Sequence, residues 1–363
     1  MIYAISIDWL AVYCIYHGEE RWTGATPASN TLFDCYPWGY RSEDYGTRHF
    51  KRLVRVHIPN EEGGYDDYAE VQIEPHSRVI DDRGVIVRFV NRQLYKPDFW
   101  DLATRFLREN KFEFHSISRI DLCADFNQFA TMSPRSLVEK FATKELRHVG
   151  RGVGALYFNH GISGGQYGVR YTGLSFGTHS SDLRVYLYNK SFELETQGDK
   201  PWIRDVWTSI GLDVRHVWRL EVSIKGKGTE FKDRDTGTKV VIDNKRLQSR
   251  SELSRLYFAF VRKLFSFVIN RDGITNITRE PRVELFNGEP SYDRGVIRNI
   301  TASNRLDKMV IKALYTLGTT YRGSDNIELS DLAQSFAVDI AQSTDLSEWM
   351  KKRVDTWVNK IHR

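Results

Sequence analysis

The chain has 363 residues, 41% hydrophobic and 27% charged, with a formal net charge of +5, so it is an ordinary globular chain long enough to bury one large core or two smaller ones. No run approaches the roughly 18 consecutive apolar residues of a membrane-spanning helix, which excludes a helical membrane anchor and makes the cytoplasm the expected compartment. Cys14, Cys35 and Cys123 are isolated and odd in number, which excludes a disulfide framework and a structural zinc site.

Residues 2–13 form a near-continuous apolar run interrupted by Asp8. With no basic leading segment, this reads as a buried strand and not as a signal peptide. Turn-rich stretches follow around Gly39, Gly46 and Gly63. Residues 49–58 alternate as a strand does, and residues 85–90 form another short strand. Residues 97–110 give the first helix: Pro97 suits its first turn, and Phe99, Leu102, Ala103, Phe106 and Leu107 make one apolar stripe. A second helix opens at Ser133, the N-cap, with Leu137, Val138, Phe141 and Ala142 facing inward. Three further strands are expected at 117–126, 182–190 and 216–224. The glycine-rich stretch 150–168 reads as a mobile loop or a hairpin, and it carries no phosphate-cradling motif.

From residue 251 the pattern becomes helical, and residues 253–269 are apolar almost all round, as in a buried helix. Residues 271–284 resemble a linker, and 304–317 and 330–362 read as helices. The expected architecture is α+β: an antiparallel or mixed sheet carrying the active site, covered by helices, with a helical C-terminal unit. Its parts are a catalytic domain over 1–270, the linker, and the helical unit over 285–363.

Strand side chains alternate between faces, so parity decides what each strand presents. Over 117–126, Ile120, Leu122, Ala124 and Phe126 point into a core, and Arg119, Asp121, Cys123 and Asp125 point the other way. Two carboxylates two positions apart suit a hard cation such as Mg²⁺ or Mn²⁺, or simply a solvent-facing polar side. Over 182–190, Arg184, Tyr186, Tyr188 and Lys190 share a face. Nearby cations favour a phenolate, the form a nucleophilic tyrosine needs, and half-buried packing is the plain alternative. Over 216–224, Arg219 and Glu221 project together, opposite Trp218, Leu220, Val222 and Ile224. Of the 18 Tyr, 20 Phe and 9 Trp, most serve packing, but such rings also stack on unpaired bases.

The order RIDLCAD, then FGTHSSDLRVYLYNKSFE, then WRLEVSI resembles the replication initiation factor family (Rep_trans) of rolling-circle plasmids and filamentous phages. The opening SIDWLAVY also resembles the family's first strand, so the likeness spans residues 5–225. It implies cleavage of a DNA strand by transesterification, with Tyr188 rather than Tyr186 as nucleophile. The tyrosine becomes joined to the 5′ end and leaves a 3′-hydroxyl primer. The resemblance further implies a divalent metal, Mg²⁺ or Mn²⁺, held by Asp121, Asp125 and Glu221, with Arg184, Lys190 and Arg219 clamping phosphate oxygens. The implied partners are origin DNA, both duplex and single-stranded at the nick site, and a second copy of the chain. No nucleotide-motor motif is present, so unwinding falls to a host helicase. The family is also similar to relaxases of integrative elements, which often carry an N-terminal helix-turn-helix. Here the catalytic-type strands begin at residue 2.

Two other readings fit parts of the sequence. His216 to Arg219 spells the H-x-x-R of tyrosine recombinases, but there the tyrosine follows that motif, whereas Tyr188 precedes it. A non-catalytic DNA-binding protein of the same fold would leave Tyr188 beside Lys190 and the carboxylates without a reason. In the C-terminal unit, Arg298, Arg305, Lys308, Lys312 and Arg322 serve groove recognition of the origin, or else those helices cap the sheet or join two copies.

Overall fold

The computed structural model describes residues 2–295 apart from 20–21, 23–37, 77–79, 151–153, 164–165, 179–180 and 272–275. The chain divides into two compact units, Met1–Val296 and Ile297–Arg363. The helices expected at 304–317 and 330–362 lie outside the described residues, as does Cys35.

The strands of the first unit are β1 (Tyr3–Tyr16), β2 (Gly39–Ser42), β3 (Phe50–Pro59), β4 (Tyr65–Pro75), β5 (Gly84–Phe89), β6 (Phe112–Phe126), β7 (Leu146–His148), β8 (Gly154–Ser163), β9 (Gln166–Phe176), β10 (Leu183–Asn189) and β11 (Trp218–Lys225), followed by short strands up to Arg294–Gly295. Ten of them form one sheet in the order β2-β3-β4-β5-β1-β6-β11-β10-β9-β8, and its neighbouring strands run antiparallel. The fold is α+β, and the glycine-rich stretch is the β8–β9 hairpin.

The helices are α1 (Asn91–Leu94), α2 (Phe99–Glu109), α3 (Pro134–Ala142), α4 (Lys190–Gln197), α5 (Pro201–Ser209), α6 (Asn244–Gln248) and α7 (Arg250–Leu264). One sheet face is apolar. Leu10, Val87, Ile120, Leu122, Leu187, Leu220 and Val222 bury there against Phe106 of α2, Leu137 of α3 and Leu256 and Phe260 of α7 in one continuous core. Ser133 caps α3 by accepting from the Ser136 N–H at 3.1 Å, which closes an otherwise unsatisfied donor.

Three stretches differ from the sequence reading. The helix expected over 253–269 ends at Leu264, and Phe267–Ile269 instead pairs antiparallel with β7. The aromatic and β-branched run FSFVI suits an edge pairing as well as a helix, and burial against β7 decides it. Lys190, expected to continue a strand, opens α4, because Asn189 accepts from the Phe192 N–H at 2.9 Å and so caps a helix there. Leu285, Phe286 and Tyr292 bury in the main core, and Arg294–Gly295 pairs with the strand Glu230–Asp233. Residues 285–295 therefore pack with the first unit rather than beginning a second.

Candidate active site

The second sheet face carries the charge, and register brings it together. Arg219 of β11 lies opposite Asp125 of β6 and Tyr188 of β10. Glu221 lies opposite Cys123 and Tyr186, and Ser223 opposite Asp121 and Arg184. A bulge in β1 adds to the set. Ile7 pairs with Leu122 and Trp9 with Asp121, so Asp8 is the extra residue between them, and its carboxylate bonds to Arg219. Bulges re-aim side chains beside functional sites in this way.

Part of this face is roofed. Leu194 of α4, Ile203 and Trp207 of α5, Leu212 and Val217 form a small second core above it, with Tyr95 packed alongside. Beneath that roof Arg219 is 0% exposed. Its Nε and Nη2 donate to the two oxygens of Asp125 at 2.6 and 2.7 Å, and its Nη1 donates to Asp8. Asp125 also accepts from Trp207 Nε1 at 2.7 Å. Asp8 is held well down, to about 2: burial raises it, but the attraction of Arg219, Lys190 and Lys200 and the bond from Asn91 outweigh that. A bidentate guanidinium–carboxylate pair closed off in this way is structural. The structure thus pairs Asp125 and Arg219, which the sequence reading made a metal ligand and a phosphate clamp, with each other, and neither lines the cleft described next.

The open part is a cleft of about 710 Å³ lined by Arg119, Arg184, Tyr186, Tyr188, Glu221, Ser223 and Lys225, among others. Tyr188 donates from its hydroxyl to Glu221 Oε2 at 3.1 Å. Glu221 is pushed up to about 7, first by desolvation and then by the negative charge of Asp8 and Asp121, against the pull of Arg219 and the Tyr188 bond. Tyr188 is raised well above a phenol's ordinary value, by burial first and Glu221 second. The expected route to a phenolate through flanking cations is thus absent. Lys190 is 1% exposed, with its ammonium 2.6 Å from Glu193 and 5.4 Å from the centre of the Tyr188 ring. Its ammonium is thus buried and paired with Glu193, and Lys190 does not line the cleft. What faces the Tyr188 hydroxyl is a carboxylate near neutrality, the arrangement of a general base. Gly173 pairs with Tyr188 from β9, where an added Cβ would come 2.8 Å from the Leu187 carbonyl and 3.2 Å from the Tyr188 Cβ, so glycine permits the close approach of β9 to β10.

Of the remaining expected residues, Asp121 is buried and takes two bonds from Arg119, at 3.0 and 2.5 Å, and Arg184 lines the cleft. The sequence reading passed over Asp8, Tyr95 and Trp207 as site residues. Asp8 alone had a signal, since a carboxylate inside a buried strand must find a partner. Among the described residues, no three His, Cys, Asp or Glu side chains converge as a ready-made metal cage, and no helix is long and apolar enough to cross a membrane.

No family model matches the chain, and no curated protein matches it. Among solved structures, the chain is similar to one described as a rolling circle replication initiator protein from Geobacillus stearothermophilus, at 17% sequence identity and a TM-score of 0.43, over 77% of this chain and 92% of that one. A likeness at that level leaves function to the side chains of the site.

Proposed function

We propose that the chain is a DNA-nicking and DNA-joining enzyme that initiates rolling-circle replication, with Tyr188 as nucleophile. The hydrogen bond from Tyr188 to Glu221, in a cleft that Arg119, Arg184 and Lys225 also line, carries this reading. Glu221 takes the phenolic proton as the Tyr188 oxygen attacks a backbone phosphorus. The bond from phosphorus to the 3′ oxygen breaks, and that oxygen takes a proton from water to become a free 3′-hydroxyl. The 5′ phosphate stays on Tyr188, and reversal of the same step rejoins a strand. The three cations meet the phosphate oxygens in place of the buried Lys190 and Arg219.

A divalent cation, Mg²⁺ or Mn²⁺, fits this donor set through Glu221 and through Asp121, whose bonds from Arg119 it would have to replace. Such an ion commonly takes one or two carboxylates plus substrate phosphate rather than a full protein cage. When bound, it supplies charge neutralisation at the phosphate. Origin DNA is the substrate, a host helicase unwinds it, and a second copy of the chain is the partner in assembly.

The test is incubation with supercoiled DNA bearing a candidate origin, followed by mass spectrometry of the DNA–peptide adduct. The adduct should map to Tyr188, vanish in Tyr188→Phe and vanish with chelator. A link at Tyr186 or Tyr157, or full nicking in chelator, would sink the assignment.

A further inference from the structure

The nicking step leaves a pair of tyrosines in the cleft unused. Tyr157 of β8 and Tyr186 of β10 reach toward each other across β9, with ring centres 5.9 Å apart and planes at 24°. Their hydroxyls are 3.4 Å apart, and the Tyr157 hydroxyl is also 3.1 Å from Ser175 Oγ. Arg184 donates to the Tyr157 hydroxyl at 3.4 Å and lays its guanidinium 4.0 Å from the centre of the Tyr186 ring. Core rings such as Tyr68 and Tyr257 are 0% exposed, whereas Tyr157 is 37% exposed and lines the cleft with Tyr186. The pair is therefore fixed in orientation by three polar contacts and still open to a ligand.

We propose that Tyr157 and Tyr186 form a stacking platform for an unpaired DNA base next to the phosphate that Tyr188 attacks, with Arg184 beside the backbone of that nucleotide. The proposal rests on the nicking reading and adds to it the form of substrate, a single strand. A base paired in duplex cannot lie flat on a ring, whereas any unpaired base can, because every base has a π face. Charge suits the same occupant, since Arg119, Arg184 and Lys225 line this cleft. Two residues along β10 separate Tyr186 from Tyr188, roughly 7 Å at ~3.4 Å per residue, so the platform meets the neighbour of the reacting nucleotide and not the scissile phosphate itself. In-line attack needs its phosphate held in one orientation, and a stacked neighbour supplies that hold.

The test uses the full chain carrying Tyr188→Phe, which cannot form an adduct, titrated with a labelled single-stranded oligodeoxynucleotide of mixed sequence and with its duplex. The single strand should bind more tightly than the duplex. Tyr157→Leu should weaken single-strand binding by roughly ten- to a hundredfold, and Tyr157→Phe, which keeps the ring, should restore it. The salt dependence should not change, because no charge is removed. Undiminished binding by Tyr157→Leu overturns the platform and leaves Tyr188 chemistry untouched. Should that variant fail to fold, Tyr157→Trp serves instead: its indole emission should be quenched by the oligonucleotide, and unaltered emission at saturation overturns the proposal. Single-strand binding that depends on Tyr157, with no adduct at Tyr188 in the parent chain, supports the platform and overturns the nicking reading alone.

Discussion

The charged face of the sheet has two stretches with the same alternation and different physics. On β3–β5, Arg55 lies 3.6 Å from Glu70, Arg52 lies 3.1 Å from Glu74, and Arg88 pairs with Glu70, all in partial contact with water. On β6, β11 and β10 the same residue types lie under α4 and α5 or in a cleft. There Arg219 is fully buried, and Glu221 is held near neutrality by desolvation and its neighbours. The row Arg55, Glu70, Arg88, Ala11, Arg119, Lys225 runs unbroken across both stretches, so charge alone does not separate them. Cover does. Exposed pairs are worth ~0–1 kcal/mol because water competes for both partners. Roofed charges lose that solvation and must be matched, and one carboxylate left unmatched becomes a group that can take a proton.

The largest effect expected of this difference is on chemistry. Glu221→Gln keeps the shape and a hydrogen-bond acceptor for Tyr188 but removes the base. Strand cleavage should fall by roughly 10²–10⁴-fold with single-strand binding retained, measured as single-turnover adduct formation beside a binding isotherm. A rate within a few-fold of the parent would show that Tyr188 loses its proton elsewhere.

Next in size is stability. Arg219→Met leaves Asp8 and Asp125 beneath the roof without the guanidinium that binds them both, and breaking a buried pair from one side costs about 3–5 kcal/mol. Chemical denaturation should show a loss of that order. A loss below ~1 kcal/mol would place Arg219 with the exposed pairs and remove the contrast between the two stretches.

Much of the frame behind these expectations was legible in the sequence. Parity alone placed Asp121, Arg219, Glu221, Tyr186 and Tyr188 on one face, because a strand's period of two survives tertiary context. Parity could not show which charges neutralise one another. Asp125 and Arg219 looked like ligand and clamp, and only the cross-strand register reveals them as a closed pair. Nor could it show Asp8, since a bulge breaks the alternation at that residue. Lys190 was misplaced for a local reason: Asn189 ends the strand by capping a helix, so the lysine leaves the strand face altogether. The covering helices α4 and α5 went unread, although Pro201 in the first turn of α5 and the helical spacing of Ile203 and Trp207 carried a signal.

A smaller effect concerns pH. The folded-state value of Glu221, about 7, lies above its ordinary 4.5, so the folded chain holds a proton that the unfolded chain releases. That contribution is fully present below the ordinary value and is lost as pH rises through about 7. Asp8, lowered to about 2, runs the other way and is constant above its ordinary range. In chelator, the parent should therefore lose thermal stability between pH 5 and pH 8 relative to Glu221→Gln, and Mg²⁺ at pH 8 should restore part of it to the parent only. Parallel melting curves for the two proteins across that range would remove the Glu221 shift, and a Mg²⁺ response in Glu221→Gln would move the ion elsewhere.

The smallest effect is expected at Glu70, which lies between Arg55 and Arg88 on the half-exposed stretch. Glu70→Gln removes both pairs yet should change stability by no more than ~1 kcal/mol, and less in high salt. It should leave strand cleavage unchanged. The informative complication is Trp9. Arg88 and Arg119 each lie 4.6 Å from the centre of its ring, and Arg119 in turn holds Asp121. If Glu70 sets the position of Arg88 strongly enough to shift Trp9, the change passes to Arg119 and Asp121, and cleavage should respond to a substitution three strands away. A double-mutant cycle between Glu70→Gln and Arg119→Gln, read on cleavage rate, separates the cases. Additive effects keep the two stretches independent, whereas a coupling above ~0.5 kcal/mol joins them through the tryptophan and makes the exposed row part of the site's support.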